Sequence, residues 1–195
     1  MAQDAYEKLY LIAETQAGYF TTAQAQAAGV SRSLLAYHVA AGRVFRARRG
    51  VYRLALFPAS PHEDLFVAWL EAGPRAVISH ESALALYGLS DALPAEIHVT
   101  VPRTASQRKH GMRRHTNQLA AEEISRHAGL PVTTVARTIA DVASAGLAPE
   151  LVEQAVREAI FNGLVTPTAL LVAAGQRSRH VAQVIQQALP KAGAP

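Results

Sequence analysis

Glycine punctuation constrains this chain more than any other feature. Gly18, Gly29, Gly42 and Gly50 cut the first quarter of its 195 residues into short segments. Each segment has its own signal. Tyr6, Leu9, Ile12 and Ala13 fall on one face at the 3.6-residue period, which predicts a helix over 4–16 stopped by Gly18. Gly18-Tyr19-Phe20 reads as a short extended piece. Thr21 and Gln24 spell a capping box that opens a helix over about 22–28, and Gly29 stops it. Ser31 is a good N-cap for a third helix that runs to about Ala41 and ends at Gly42.

Two short helices joined by about three residues containing glycine make a helix-turn-helix. RVFRARRGVYRL follows directly, from Arg43 to Leu54. Arg43–Arg48 and Val51–Leu54 read as the strands of a hairpin, with Gly50 supplying the positive φ of a tight turn. Helix, helix, helix and hairpin together predict a winged helix-turn-helix over 1–57.

The charge is uneven. Thr15–His62 holds no acid and six arginines, namely Arg32, Arg43, Arg46, Arg48, Arg49 and Arg53. Ile97–Ala121 again holds no acid, with Arg103, Arg108, Lys109, Arg113 and Arg114. These stretches carry eleven of nineteen basic residues, so the rest of the chain is net acidic. Such a pattern predicts local electropositive surfaces and not a generally basic protein. Solvated faces are the plainer reading of any charge run. The position of the first stretch, over a helix-turn-helix, favours nucleic acid.

The third helix would enter the major groove. Leu34, Leu35 and His38 or Val39 should form its core face. That leaves Ser31, Arg32, Ser33, Ala36 and Tyr37 on or near the open side. Arg32 can grip guanine O6 and N7, while Ser31, Ser33 and Tyr37 can bond phosphates or bases. Ser31 has capping, and Tyr37 packing against the wing, as structural alternatives. Arg46, Arg48 and Arg53 share strand parity and are expected to project from one face towards the DNA, so Arg53 joins the DNA candidates. Arg48 and Arg49 sit at the wing tip. Arg43 has no assigned role.

LFPASPHED marks a linker over 58–61, before a C-terminal domain over 62–195. There Leu65, Phe66, Trp69 and Leu70 suggest a helix, Ala76–Ile78 a short strand, and Ser79 the cap of a helix through Tyr87. Ile97, Val99 and Val101 alternate with His98 and Thr100, which predicts a half-buried strand. Residues 103–115 read as a loop and a further strand. Helices are expected from Thr134 to Ala145, around 151–160, over 167–174 and over 178–189. The fold class is α+β: a winged helix followed by a mixed, helix-rich α/β domain.

Motifs for catalysis are missing. His80-Glu81 and His62-Glu63 lack the second histidine of H-E-x-x-H, and read as exposed helix-start residues. No phosphate loop, dinucleotide fingerprint or serine elbow occurs. Asp141 stands four residues after Arg137, a spacing that suits an ion pair better than a base. The chain has no cysteine, which suits a reducing cytoplasm and removes thiolate metal sites. No run approaches the ~18 apolar residues that span a bilayer, and no export signal is evident. The expectation is a cytoplasmic, non-enzymatic protein without a metal or cofactor.

GYFTTAQAQAAGVSRSLLAYHVAAGRVFRARRGVYRL resembles the N-terminal winged helix of the AbiEi-family antitoxins of abortive-infection, type IV toxin–antitoxin systems. G-V-S-R from Gly29 and R-R-G-V-Y-R from Arg48 carry the likeness. AVISHESALALYGLSD, IHVTVPR and LPVTTVARTIADVA resemble blocks of that family's C-terminal domain. The resemblance implies a transcriptional autorepressor that binds inverted repeats of promoter double-stranded DNA and counteracts a nucleotidyltransferase-type toxin encoded beside it. In the family, direct contact between toxin and antitoxin is not required, and the C-terminal domain serves antitoxin activity and assists repression. Carried over, Arg32, Arg46, Arg48 and Arg49 are DNA candidates. Arg108, Lys109, Arg113 and Arg114, with Arg103 nearby, would form a second basic surface. Some relatives carry a further nuclease-like domain, whose P-D…E-x-K pattern this sequence lacks. The alternative is a stand-alone regulator whose C-terminal domain senses a ligand or binds a protein.

Overall fold

The computed structural model describes residues 2–102 and 111–190. It is α+β and divides into two compact units, one of residues 1–76 with 128–130 and one of the remainder. No described helix is long and apolar enough to cross a membrane.

The first unit holds α1 (Ala2–Glu14), β1 (Tyr19–Thr21), α2 (Thr22–Ala27), α3 (Arg32–Ala40), β2 (Val44–Arg48), β3 (Val51–Leu54) and α4 (Glu63–Ala72). Its sheet has the order β1-β3-β2. The capping box forms as read: the Gln24 amide donates to Thr21 Oγ1 and the Thr21 amide to Gln24 Oε1. On α1, Ala5, Leu9 and Ala13 are one turn apart and buried. They meet Phe20, Ala25, Leu35, Val44 and Leu54 in one core.

Gly18 cannot be another residue cheaply. Its φ is +89°, and a Cβ there would overlap the Phe57 side chain. Gly18→Ala should therefore cost at least about 2 kcal/mol, from left-handed strain and overpacking together. The check is the urea midpoint; an unchanged midpoint would mean that Phe57 moves aside freely.

The helix expected after the linker exists, but it groups with the winged helix and not with the C-terminal unit. Tyr19 of β1 stacks on Phe66 of α4 at 5.2 Å, and its hydroxyl donates to Glu63 at 2.6 Å. The units part after Ala76, beyond the expected 58–61 linker.

The second unit holds β4 (Val77–Ile78), α5 (His80–Leu86), β5 (Ile97–Val101), β6 (Met112–Thr116), a 3-10 turn (Ala121–Glu123), β7 (Ile124–His127), β8 (Leu130–Thr133), α6 (Val135–Ala145), α7 (Pro149–Phe161), α8 (Pro167–Arg177) and α9 (Arg179–Ala188). Its sheet has the order β6-β5-β4-β8-β7. β4 runs antiparallel to β5 and parallel to β8, and β5 is parallel to β6. Leu84, Ile139, Val156, Leu170 and Ile185 lie at the centre of the helical core. Thr134, Thr166 and Ser178 cap α6, α8 and α9 through their hydroxyls.

The half-buried strand needs correcting. In β5, His98 and Thr100 are as buried as Val99 and Val101. Ser82 Oγ accepts from the His98 amide at 2.8 Å, and Thr100 Oγ1 donates to Ser79 Oγ at 2.9 Å. Both faces of the strand are covered. Ser79, at the cap of α5, takes the Thr100 hydroxyl, while the His98 ring packs beside those of His80 and His115 with its Nδ1 unpartnered among the described residues.

Candidate nucleic-acid interface

Backbone capping presents the N-terminus of α3 to solvent. Ser31 Oγ accepts from the Leu34 amide at 3.2 Å and lies 3.0 Å from Ser33 Oγ. Leu35 and His38 face the core, while Ser31, Arg32, Ser33 and Ala36 are exposed. Tyr37 is 58% exposed and its ring meets His38 edge-on at 5.7 Å, so it does not pack into the wing. The face expected to be open is open.

The hairpin forms with a two-residue turn, Arg49-Gly50, in which Gly50 has φ +85°. Its arginines do not share one face. Val44 pairs with Leu54, Phe45 with Arg53 and Arg46 with Tyr52, but Arg48 pairs with Val51. Ala47 is the extra residue of a β-bulge between them. Residues directly opposite on an antiparallel pair point the same way. Arg46 thus lies with Tyr52, whereas Arg53 lies with Phe45 and Tyr19, and Arg48 with Val51. The parity expectation fails for Arg46, which the bulge turns to the Tyr52 face; Arg48, opposite Val51, stays on the face of Arg53.

Arg53 is also occupied. Its guanidinium lies 5.1 Å over the Phe45 ring and donates to the Phe57 carbonyl. Arg32, Arg46, Arg48 and Arg49 are exposed, and no described carboxylate pairs with any of them. The wing turn is tied to the helix-turn-helix. The Gly50 carbonyl accepts from the Thr22 amide at 3.0 Å, at the first residue of α2.

Of the expected second basic surface, Arg103, Arg108 and Lys109 lie outside the described residues. Arg113 and Arg114 are consecutive on β6 and so project from opposite faces of the sheet. Arg113 is exposed and Arg114 half-buried.

Two polar clusters of the second unit go beyond the sequence reading, which had only the Arg137–Asp141 pair of the first. Arg137 Nε donates to both Asp141 oxygens at 3.0 and 2.9 Å, and Arg177 reaches Asp141 Oδ1 at 2.6 Å. Glu123 also pairs with Arg137. The i,i+4 spacing gave the first pair; Glu123 and Arg177 come from other elements, which spacing cannot show. Burial would raise the Glu123 carboxyl, but the Ala120 amide and Arg137 hold it below its ordinary value.

The second cluster is three histidines. His80, read as an exposed helix-start residue, is only 7% exposed and opens α5 at φ +53°. Its ring stacks on His115 of β6 at 3.5 Å and lies 5.9 Å from His98 of β5. Burial first, then its neighbours His115, His98, Arg177 and Arg137, pushes His80 down to about 2. Burial, His98 and Arg113 push His115 to about 4. His98 is lowered by burial, with Glu81 and Glu96 opposing and Arg113 assisting.

The unfolded rings titrate at their ordinary 6.5, so they take up protons before the folded ones do. Stability from this cluster is complete above that value and falls with pH towards about 4. At about pH 4.5, keeping His80 and His115 neutral should cost about 2–3 kcal/mol each. Urea unfolding followed by circular dichroism at neutral and acid pH is the check. His115→Phe keeps the stacked ring and should flatten the dependence. A wild type equally stable at both pH values would contradict it.

The comparisons with known proteins agree with the geometry. A family described as "Transcriptional regulator, AbiEi antitoxin" matches residues 7–55. One described as "AbiEi antitoxin C-terminal domain" matches residues 75–191. No curated protein matches the chain. Among solved structures, the RV2827C protein from Mycobacterium tuberculosis is similar at 15% identity and a TM-score of 0.52, over 95% of this chain and 76% of that one. That likeness supports the α+β architecture. With both matches in the same order over most of its length, the chain belongs to the AbiEi antitoxin family of transcriptional regulators.

Proposed function

We propose that the chain represses its own promoter by binding inverted repeats in double-stranded DNA. We further infer that it is the antitoxin to a nucleotidyltransferase-type toxin. The observation that carries the DNA reading is the set of exposed arginines, Arg32, Arg46, Arg48 and Arg49, on a helix-turn-helix and its wing with no described carboxylate beside them. In this reading Arg32 reads bases from the start of α3, helped by Ser33 and Tyr37. Ser31 keeps its capping role and leaves its neighbouring amides facing a phosphate. Arg46, Arg48 and Arg49 neutralise phosphates. Arg53 acts as a strut between the wing strand and Phe57. The protein works by binding, in the cytoplasm, and needs no metal or cofactor.

A gel shift with the gene's upstream region, against unrelated DNA of equal length, tests the repression. The expected result is a shift at lower protein concentration for the upstream region. No shift at low salt would end the DNA reading. Co-expression with a neighbouring nucleotidyltransferase tests the antitoxin reading separately: growth should be arrested by the toxin alone and rescued by this chain.

A further inference from the structure

A groove lies against the inner flank of α3. Tyr6 of α1, Leu34, Tyr37 and His38 of α3, Arg43 and Leu56 line a cavity of about 690 Å³. That volume falls within the roughly 300–1,000 Å³ of small-molecule sites. Its wall is apolar and aromatic. Leu56, 72% exposed, forms part of that wall with no core role.

Two features give the groove a chemical preference. His38 is 8% exposed, yet its Nδ1 has no hydrogen-bond partner among the described residues. Its ring sits between those of Tyr6 at 5.4 Å and Tyr37 at 5.7 Å. A buried ring nitrogen normally finds a partner, so an unpaired one on a residue that lines the groove marks a place that a ligand atom can fill once the ring turns towards it. Arg43 supplies the second feature. No described carboxylate pairs with its side chain, and its charge reaches His38. Burial first and then Arg43 hold the His38 imidazole below its ordinary value, so the ring is neutral and can keep its one proton on Nδ1.

We propose that this groove binds a small aromatic carboxylate. The flat ring lies among Tyr6, Tyr37, Leu34 and Leu56. The carboxylate accepts from His38 Nδ1 and from the Arg43 guanidinium, a charge-assisted pair. A ligand wedged against α3 would alter how that helix meets DNA. This regulatory consequence rests on the proposed function; the binding itself does not.

The test uses 2-naphthoate and its neutral analogue 2-naphthalenemethanol, titrated into the full chain and followed by nitrogen–proton NMR, with the His38 ring nitrogens observed directly. Naphthoate should move the resonances of the groove residues and His38 Nδ1, and bind about tenfold more tightly than the alcohol. Arg43→Gln, a change of an exposed side chain, should abolish that preference. Leu56→Glu should weaken naphthoate further by repulsion.

Equal affinity for acid and alcohol, an unchanged preference in Arg43→Gln, or no shifts in the groove would each overturn the proposal. So would a dimer that buries Leu56 and excludes naphthoate, since the groove would then belong to a second copy. Naphthoate binding in a protein that never shifts promoter DNA would overturn the proposed function and leave the site intact.

Discussion

Asp141→Ala should be the most damaging single substitution in the C-terminal unit, costing about 3–5 kcal/mol. Its carboxylate is fully buried and receives both Arg137 and Arg177. Burial alone raises this carboxyl, and the two guanidiniums oppose that rise. Removing it takes the carboxylate from Arg177 and leaves the almost completely enclosed Arg137 with Glu123 alone. Against a total stability of about 5–15 kcal/mol, such a loss threatens folding at ordinary temperature. Urea unfolding of the purified variant measures it. Asp141→Asn keeps the shape and one acceptor, so it should fall between wild type and alanine. An alanine variant within about 1 kcal/mol of wild type would show that the network is ornamental.

The second large effect concerns DNA. If about six phosphates are neutralised, the logarithm of affinity should fall with the logarithm of salt at a slope near −5. Six phosphates correspond to Arg46, Arg48 and Arg49 of two copies on an inverted repeat, so replacing Arg48 and Arg49 with alanine removes four contacts of about 0.9 each and should bring the slope to about −2. The loss should be similar on promoter and unrelated DNA, because phosphate contacts carry no sequence information. Arg32→Ala should behave oppositely, with a loss of about 1–3 kcal/mol confined to the preferred sequence. A double variant that keeps the wild-type slope would remove the wing from the interface.

The N-terminal unit was legible because its signals are local. Thr21 and Gln24 bond each other across one helical turn, and Gly50 meets a requirement of its own turn. Parity along β2 was not legible, because the bulge at Ala47 depends on which residue of β3 it faces. The alternation in β5 misled for a related reason. Thr100 looks solvent-facing until Ser79, just before α5, takes its hydroxyl, and His98 until the His80 and His115 rings gather beside it. β7, Ile124–His127, is exposed along its whole length and so leaves no apolar pattern to read. The histidine cluster gathers residues from three elements, and no spacing announces it. α4 was found, but its allegiance to the first unit depends on Tyr19, far away in sequence.

The hydrogen bond from Thr22 to Gly50 has a consequence for the operator. It fastens the hairpin's turn to the first residue of α2, and Ala25 of α2, Leu35 of α3 and Val44 and Leu54 of the hairpin share one core, so hairpin and reading helix move together. The pair works as a fixed gauge laid along the duplex. Inserting one base pair between the bases under Arg32 and the phosphates under Arg48 and Arg49 moves the far contact by about 3.4 Å along the axis. It also rotates that contact by about a tenth of a turn. A hinged wing would follow that displacement; a tethered one has to let go at one end.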